Sequence, residues 1–397
     1  MTTNRLTRAL QRRREAGGAV LDLMDTNFHN CGFFFPRGRL EELLAAYPGA
    51  QHYRPDPKGN PELRHTIAGY YREAGHTVDP EHLIVTASTS DAYNLLFSAL
   101  AEPGDNIVLP SPGYPLFEYL AQFHSLETRF YHMHFDTAFT LNGDQVARHL
   151  DGRTRFVAIV SPNNPTGRIY TEGELDSVTR LCGSRGIPVI CDEVFSEYRY
   201  AAAPADGEAP GTVTEAAPLP RPAALAPDVP TVTLNGISKL LALPDLKLGW
   251  MAVGGPEAER GRMVHALEVA NDMFLNVSGP AQYVAAHAIP ERRRYLEPAL
   301  LRLTAARDAL VKAVAEAPEL EVVPPDGGIH AALRLPPGLA LTEEEVAVAL
   351  IERHGVHLHP GYLYGIDDDR TLILSLLPGE AAIRTGVEAI HALLRKL

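Results

Sequence analysis

The middle of the chain alternates short apolar runs with segments whose apolar residues recur at helical spacing. The apolar runs, each predicted to be a strand, cover residues 83–86, 106–109, 130–135, 155–160, 187–191 and 231–234. The predicted helices cover residues 90–100, 116–123, 171–183 and 256–271. This alternation is typical of βαβ units, in which a mostly parallel sheet is covered by helices on both faces. The pattern therefore predicts an α/β fold.

The two ends of the chain follow different patterns. Asn60-Pro61 predicts a helix start, because asparagine favours the N-cap and proline favours the first helical position. A long helical stretch near residues 291–317 is accompanied by short predicted strands over residues 320–323, 331–335 and 371–377. We therefore predict a large domain over residues 51–285 and a smaller α+β domain over residues 286–397. Residues 1–50 are predicted to form an N-terminal arm and part of the small domain.

One segment of the predicted large domain has a biased composition. Residues 201–230 are rich in alanine and proline and contain few large apolar residues. Such a segment has little apolar surface to bury. We predict an exposed, poorly ordered insertion without a packed core of its own.

Polar residues follow the predicted strands at the points where those strands end. Ser88, Thr89 and Ser90 open a helix, so their N–H groups and hydroxyls suit an anion, although a plain N-cap is the commoner role. Tyr114 lies among glycine and proline residues, where it could stack on a planar ligand or close a turn over the core. Ligands of open α/β sheets bind outside the carboxyl ends of strands, so these residues belong to one candidate site.

Three further strand ends carry an amide, a carboxylate and an amine. Asn163-Asn164 lies between two prolines, which predicts a fixed turn that aims amide groups. Asp192 ends a buried run, where a carboxylate is costly unless it faces a cation or a charged heterocycle. Lys239 precedes an apolar loop; burial would make its amine nucleophilic, and the alternative is an amine that extends to solvent. The strand ends thus supply an anion-binding helix start, an aromatic ring for stacking, an amide, a carboxylate and a lysine. This combination predicts a pyridoxal 5′-phosphate site.

Composition and charge exclude several other functions. The chain has 397 residues and a formal net charge of −13, which argues against a nucleic-acid or anionic-membrane partner. Its three cysteines form neither a C-x-x-C pair nor a metal-ligand spacing, so we expect no metal site and a cytoplasmic location. The sequence contains no P-loop and no apolar run long enough to cross a bilayer.

Several motifs resemble those of the class I/II aminotransferases, which are pyridoxal-phosphate enzymes of fold type I. The motifs are Tyr53-Arg54-Pro55, Gly59-Asn60-Pro61-Glu62-Leu63-Arg64, Asn163-Asn164-Pro165-Thr166-Gly167, Asp192-Glu193-Val194, Ser238-Lys239 and Leu246-Lys247-Leu248-Gly249-Trp250. The resemblance covers roughly residues 20–395. It implies a seven-stranded, mostly parallel sheet in the large domain and a homodimer with shared active sites.

The resemblance implies a role for each matching residue. Lys239 would form a Schiff base with the cofactor and then move the substrate proton, while Asp192 would pair with the pyridinium nitrogen. Asn164 would bind the phenolic oxygen of the cofactor, and Tyr114 would stack on its ring. The residues implied in phosphate binding are Ser88, Thr89, Ser90, Ser238, Lys247 and, from the neighbouring subunit, Tyr53.

The substrate half of the predicted site departs from the family pattern. Ile373 precedes Leu374-Ser375, where the family usually has the arginine that binds the substrate α-carboxylate. Phe195 stands where the family usually has a tyrosine, and Lys247 stands where it usually has an arginine. The residues considered for substrate binding are Asn30, His29, Gly32, His330 and Arg370, with Arg37, Arg39 and Arg334 as alternative carboxylate ligands. Asn30 and His29 are more often loop residues with a structural role.

The predicted function is a pyridoxal-phosphate-dependent aminotransferase of amino acid metabolism or biosynthesis that acts on an amino acid or a related amine. The alternative is a lyase or condensing enzyme of specialised metabolism that uses the same cofactor for elimination or substitution at Cβ or Cγ. A regulator or an inactive homologue is a third reading, but the intact Lys239, Asp192 and Asn164 argue against it. The sequence leaves the substrate and the amino acceptor open.

Overall fold

The computed structural model describes residues 4–48, 55–200, 218–275 and 277–396. Within these residues the strands are β1 (Leu21–Asp22), β2 (Leu83–Thr86), β3 (Asn106–Ser111), β4 (Glu127–His132), β5 (Thr154–Val160), β6 (Val189–Asp192), β7 (Thr231–Gly236), β8 (Gly249–Gly254), β9 (Glu321–Val322), β10 (His330–Arg334), β11 (Val356–His357), β12 (His359–Pro360) and β13 (Thr371–Ser375). The helices are α1 (Arg5–Glu15), α2 (Arg37–Ala46), α3 (Pro61–Glu73), α4 (Thr89–Leu100), α5 (Leu116–Phe123), α6 (Gly143–Ala147), α7 (Glu172–Gly183), α8 (Pro222–Leu225), α9 (Ile237–Leu240), α10 (Glu257–Met273), α11 (Gly279–Ala288), α12 (Arg293–Ala315), α13 (Glu343–Ala349) and α14 (Glu380–Leu394).

A seven-stranded sheet lies at the centre of the large domain, in the order β2-β8-β7-β6-β5-β3-β4. Its strand pairs are parallel except for those of β8, which runs antiparallel to both β2 and β7. Phe156 and Ala158 of β5 pack with residues of α4 and α10, whereas Val157 and Ile159 pack with residues of α7 on the opposite face. Burial on both faces explains why these strands are continuous apolar runs.

A smaller sheet, in the order β12-β13-β10-β9, is antiparallel and lies in the C-terminal part of the chain. The N-terminal arm joins this part, because β1 pairs in parallel with β11 through Leu21–Val356 and Asp22–His357. The predicted α/β fold, with a mostly parallel sheet flanked by helices and a smaller sheet domain, is confirmed. The domain boundaries at residues 50 and 285 stay a prediction.

The predicted bounds of one strand are wrong. The strand expected over residues 130–135 is β4, which begins at Glu127 and ends at His132. β4 is an edge strand with mostly polar, partly exposed residues at its start, so its apolar signal begins too late.

Residues 218–230 are packed, contrary to the predicted exposed insertion. Leu219 and Val229 are each 3% exposed, and Arg221 is 4% exposed. The Arg221 guanidinium donates from Nε to Glu193 Oε2 at 2.7 Å, which ties the segment to the end of β6. Residues 201–217 of the same predicted insertion lie outside the described residues. None of the helices in the described part of the chain is long and apolar enough to cross a membrane.

Candidate active site

The polar residues predicted from the strand ends gather at one edge of the large sheet. Val160, Asp192 and Leu234 are register partners near the carboxyl ends of β5, β6 and β7. Gly249 pairs with both Thr86 and Gly236, which brings the starts of α4 and α9 to the same edge. A Cβ atom on Gly249 would lie only 2.9 Å from the Ser88 carbonyl carbon, so glycine permits this close approach.

Lys239 lies in α9, directly after β7. Its Nζ is 5.5 Å from the centroid of the Phe28 ring and 5.9 Å from that of the Phe195 ring. Burial lowers the pKa of Lys239, and no carboxylate in the described part of the chain pairs with its amine. The Tyr198 hydroxyl donates to the Lys239 carbonyl at 2.7 Å and holds the short helix in place. The amine is therefore enclosed by aromatic rings and favours the neutral, nucleophilic form.

Asp192 is a buried carboxyl group that has no cationic partner within the described residues. It is 4% exposed and accepts one hydrogen bond, from the Val194 N–H at 3.2 Å. Burial raises the pKa of Asp192 to about 7, and the adjacent Glu193 adds to this shift. The Tyr93 hydroxyl, which has no hydrogen-bond partner, lies beside this carboxyl group. A cationic ligand would stabilise the ionised form of Asp192.

The two adjacent asparagines have different environments. Asn163 Oδ1 accepts from the Thr166 N–H at 3.2 Å and from the Thr166 hydroxyl at 2.8 Å, so Asn163 holds its own loop. Asn164 Oδ1 and Ser161 Oγ are both buried, and neither has a hydrogen-bond partner. Buried polar atoms are nearly always satisfied, so the Asn164 amide is available to a ligand.

The start of α4 presents unused N–H groups. Ser88 is the N-cap, and its hydroxyl accepts from the Asp91 N–H at 3.0 Å. The plain N-cap role of Ser88 is therefore confirmed, while the N–H groups of Thr89 and Ser90 find no acceptor within the described residues. Lys247 is exposed, has a left-handed backbone with φ +52°, and makes no ion pair with any described residue. Two free N–H groups, a helix N-terminus and a cation suit an anion.

Tyr114 and Ser238 border the same edge. The Tyr114 side chain is 44% exposed and makes an edge contact with Phe117 at 5.8 Å. Ser238 is partly buried, one residue before Lys239. The stacking role of Tyr114 stays a prediction, and Tyr53 lies outside the described residues.

The N-terminal loop covers Lys239 from the small-domain side. His29 Nε2 lies 2.9 Å from the Ala242 carbonyl oxygen, so His29 ties this loop to the loop after Lys239. Gly32 and Lys239 line one cavity of ≈ 210 Å³, together with Phe28 and Tyr198. Asn30 is exposed, and the structure shows no hydrogen bond from its side chain to a described residue. Sequence reasoning missed Phe28 and Tyr198, for which no motif or spacing gave a signal.

The structure shows the local partners of the arginines considered as carboxylate ligands. In the small sheet His330 pairs with Ser375 at one end and Arg334 pairs with Thr371 at the other. Arg370 precedes Thr371, so it is separated from Ser375 by roughly 16 Å of extended strand. The substrate-binding role of Arg370 stays a prediction. The three alternatives are all ion-paired: Arg37 with Glu41, Arg39 with Glu42 and Glu291, and Arg334 with Asp136 and Glu321.

His330, in contrast, is brought to the site. It is 6% exposed, and burial lowers its pKa to about 3, with the nearby Lys239 charge adding to this shift. A Cβ atom on Gly167 would lie 3.2 Å from the His330 carbonyl oxygen, so His330 adjoins the loop that carries Asn164. No group of three or more His, Cys, Asp or Glu side chains in the described residues could hold a metal ion.

Comparison with known proteins identifies the family. The family model of aminotransferase class I and II matches residues 34–390, so the chain belongs to that family. It is 27% identical to a glutamate–pyruvate aminotransferase of Haemophilus influenzae, over 80% of this chain and 76% of that protein. It is 28% identical to an arginine–pyruvate transaminase of Pseudomonas aeruginosa, over 88% of this chain and 84% of that protein. The solved alanine aminotransferase of Pyrococcus furiosus shares the fold, with a TM-score of 0.87 at 23% identity over 100% of both chains.

Proposed function

We propose that this aminotransferase-family enzyme takes the amino group of an amino acid or a related amine onto pyridoxal phosphate and passes it to a keto acid. The observation that carries the proposal is a pair of buried polar groups at the strand edge that also carries the Lys239 amine: Asp192 has no cationic partner within the described residues, and Asn164 Oδ1 has no hydrogen-bond partner. The relatives compared above are named as aminotransferases and do not favour the lyase alternative. The substrates in the names of those relatives are not assigned to this chain.

The residues present fit pyridoxal phosphate as the cofactor. Asp192 would pair with the ring nitrogen, and the Asn164 amide would bind the phenolic oxygen. The free N–H groups of Thr89 and Ser90, together with Lys247, would hold the phosphate. When bound, the cofactor supplies an aldehyde for covalent attachment and a ring that accepts electrons.

Lys239 would serve as the attachment residue and as the acid and base for the substrate proton. Its lowered pKa increases the fraction of neutral amine, which is the form that attacks an aldehyde and accepts a proton. Phe28 and Phe195, which are 5% and 4% exposed, exclude water from the amine. An ionised Asp192 would keep the ring nitrogen protonated, and a protonated ring nitrogen strengthens the ring as an electron acceptor.

We also propose a homodimer with shared active sites and a cytoplasmic location. Exposed apolar side chains at the end of α10, among them Met273 at 69% and Phe274 at 72%, support contact with a second copy. The free cysteines Cys31, Cys182 and Cys191 are consistent with a reducing compartment.

Borohydride reduction of the holoenzyme followed by peptide mass spectrometry tests the attachment residue. We expect a phosphopyridoxyl mass on the peptide that contains Lys239, and none in the Lys239→Ala variant. The matched control is Lys247→Ala, which should keep the adduct on Lys239 but bind the cofactor roughly tenfold to a hundredfold more weakly, since a charged hydrogen bond contributes about 1.5–3 kcal/mol. An adduct on another lysine would contradict the proposal.

A second experiment separates amino transfer from elimination. Holoenzyme is mixed with an amino acid in the absence of keto acid, and the aminated cofactor, the keto acid and free ammonia are quantified. Amino transfer predicts one equivalent each of aminated cofactor and keto acid for each site. Release of ammonia with no aminated cofactor would instead support the lyase.

A further inference from the structure

A cluster of buried and partly buried polar side chains extends from the Lys239 site into the small domain. The His330 ring centroid in β10 is 6.5 Å from that of Tyr364. The Tyr364 hydroxyl lies 3.1 Å from His359 Nδ1, and the His359 ring centroid is 5.3 Å from that of His357. His357 Nδ1 in turn lies 2.8 Å from Asp22 Oδ1 in β1. Sequence reasoning indicated only His330 of this set.

The near end of the cluster borders the candidate active site. Gly113 N–H, one residue before Tyr114, donates to the Tyr364 carbonyl at 3.0 Å. The Ser111 hydroxyl donates to the Gly365 carbonyl at 2.6 Å, which fixes the Tyr364 segment against the end of β3. His330 adjoins both Lys239 and the Asn164 loop, as described above. The cluster therefore forms a wall between the cofactor site and the small domain.

Hydrogen-bonding capacity in this wall is left unused. His330 is 94% buried, since 6% of its surface is exposed, yet its ring makes no hydrogen bond to any described residue. Among the described residues, the Tyr364 hydroxyl bonds only to His359. The His330 ring nitrogens are not among the fully enclosed polar atoms that lack a partner, so they are open to a ligand or an ordered water.

Three groups of the wall, His330, His359 and Tyr364, are uncharged near neutral pH. Burial lowers the pKa of His330 to about 3 and that of His359 to about 4, where His357 adds to the shift. Burial raises the pKa of Tyr364 to about 12. Arg334, at the other end of β10, is ion-paired with Asp136 and Glu321. A charged substrate side chain would lose its hydration against these three groups without gaining a counterion from them.

We propose that His330, Tyr364 and His359 form a subsite for an uncharged hydrogen-bonding group, an amide or a hydroxyl, on the side chain of the amino substrate. The inference rests on the proposed function. A site built to pair with a polar group rejects an apolar analogue, because its own polar atoms are then left unpaired. It disfavours a carboxylate because His330, Tyr364 and His359 supply no cation of their own.

The test measures single-turnover amination of the cofactor with matched amino acids. Glutamine and methionine have a similar shape, as do asparagine and leucine, and glutamate adds a charge at the place of the amide. We expect the holoenzyme to prefer glutamine over methionine and over glutamate by at least tenfold in kcat/KM. Tyr364→Phe should reduce the glutamine-to-methionine ratio about threefold to tenfold, as expected for one hydrogen bond. His330→Phe should reduce this ratio further.

The control variant is Tyr362→Phe. Tyr362 is 44% exposed, and its hydroxyl bonds to Glu344 at 3.1 Å on the surface, so its loss should leave the ratio unchanged. A readout independent of turnover is the dissociation constant of α-methylglutamine against α-methylmethionine, measured by calorimetry. These compounds lack the Cα proton, so they bind without completing the reaction.

The outcomes separate the two proposals. If amino transfer proceeds but glutamate or methionine is preferred, or if neither Tyr364→Phe nor His330→Phe changes the ratio, the subsite is contradicted while the proposed function stands. If no amino acid aminates the cofactor, the proposed function fails. In that case the α-methyl compounds still test the subsite, and equal binding of the two compounds would overturn it.

Discussion

The polar groups that the fold buries and leaves unpaired mark the candidate site at the level of single residues. Asp192 accepts only the Val194 N–H, Asn164 Oδ1 has no partner, and the His330 ring makes no hydrogen bond within the described residues. Each such group weakens the folded state of the empty protein. A ligand that pairs with them regains that free energy on binding, so these residues connect stability to cofactor binding.

Asp192→Asn should change how the stability of the cofactor-free protein depends on pH. The pKa of Asp192 is about 7 in the folded protein, above the ordinary value of 3.8, so the folded state binds this proton more tightly than the unfolded state. The free energy of unfolding therefore falls as pH rises from about 4 to about 7. Asparagine does not titrate, so we expect the variant to exceed the wild type in stability at pH 8 by up to about 4 kcal/mol, with little gain at pH 4.

Urea denaturation of both cofactor-free proteins between pH 4 and 8 measures this difference. The control is Asp144→Asn, since Asp144 is exposed in α6 and its replacement should leave the pH profile as in the wild type. Parallel profiles for the wild type and Asp192→Asn would show that Asp192 does not titrate as described. With cofactor present the order should reverse, because asparagine cannot pair with a ring cation.

The sequence predicts residues whose chemistry follows from their place in the chain, and it fails where the outcome depends on distant partners. Lys239 and Asp192 could be assigned because a charge at the end of an apolar run is costly. Turn chemistry treats Asn163 and Asn164 alike, and only the family resemblance singles out Asn164. The structure adds the contacts: Asn163 holds its own loop, and Asn164 Oδ1 is unpaired. Tyr364 was missed because nothing near it in sequence shows that it faces His330.

At the scale of secondary-structure elements, the segment from residue 218 to residue 230 shows how a long-range pair overrides composition. A composition rich in alanine and proline predicts an exposed loop. This prediction fails when a residue of the segment pairs with a residue far away in the sequence. Arg221 finds Glu193, which lies 28 positions away and directly after Asp192. The Arg221 guanidinium also lies 5.5 Å from the centroid of the Tyr71 ring in α3. The segment is therefore anchored to the strand end that carries the cofactor carboxylate.

Arg221→Met should destabilise the protein by about 3–5 kcal/mol, because it leaves the Glu193 carboxylate buried without its cation. The side chains of Arg221 and Glu193 are 5% and 0% exposed. Chemical denaturation at neutral pH measures the loss, and the double variant Arg221→Met/Glu193→Gln should recover part of it. Arg37→Met is the control: its pair with Glu41 is on the surface, with Arg37 91% exposed, so we expect a loss below about 1 kcal/mol. Equal losses for the two arginines would contradict the anchoring role.

At the scale of the whole molecule, the site depends on segments that are far apart in the sequence. β1 near the N-terminus pairs with β11, and the His357–Asp22 contact joins the same two strands. The loop after β1 carries Phe28 and His29 to Lys239. Two-residue strands have no periodicity that could be recognised, so their pairing could not be predicted from the pattern, whereas the large sheet could.

The exposed apolar surface is the other whole-molecule feature. Val269, Met273, Phe274 and Leu275 lie at the end of α10 and just beyond it, with exposures of 47%, 69%, 72% and 77%. Phe123 at the end of α5 is 82% exposed, and both α5 and α10 pack against α4. Large apolar side chains grouped in this way are typical of a protein–protein interface. α4 also begins at the predicted phosphate site, so this surface and the cofactor site are joined by one helix.

We therefore expect the wild-type protein to sediment as a dimer of about twice its 43.3 kDa chain mass, and Phe274→Glu to sediment as a monomer. A buried glutamate without a cation would weaken the contact, since burial of an unpaired charge is strongly unfavourable. Leu301→Glu is the control, because Leu301 is 50% exposed on α12, which packs against α14 rather than α4, and its change should preserve the dimer. If Tyr53 reaches the phosphate of the neighbouring subunit, the monomeric variant should also bind pyridoxal phosphate more weakly than Leu301→Glu. A Phe274→Glu variant that stays dimeric would place the interface elsewhere. A monomeric wild type would contradict the proposed homodimer.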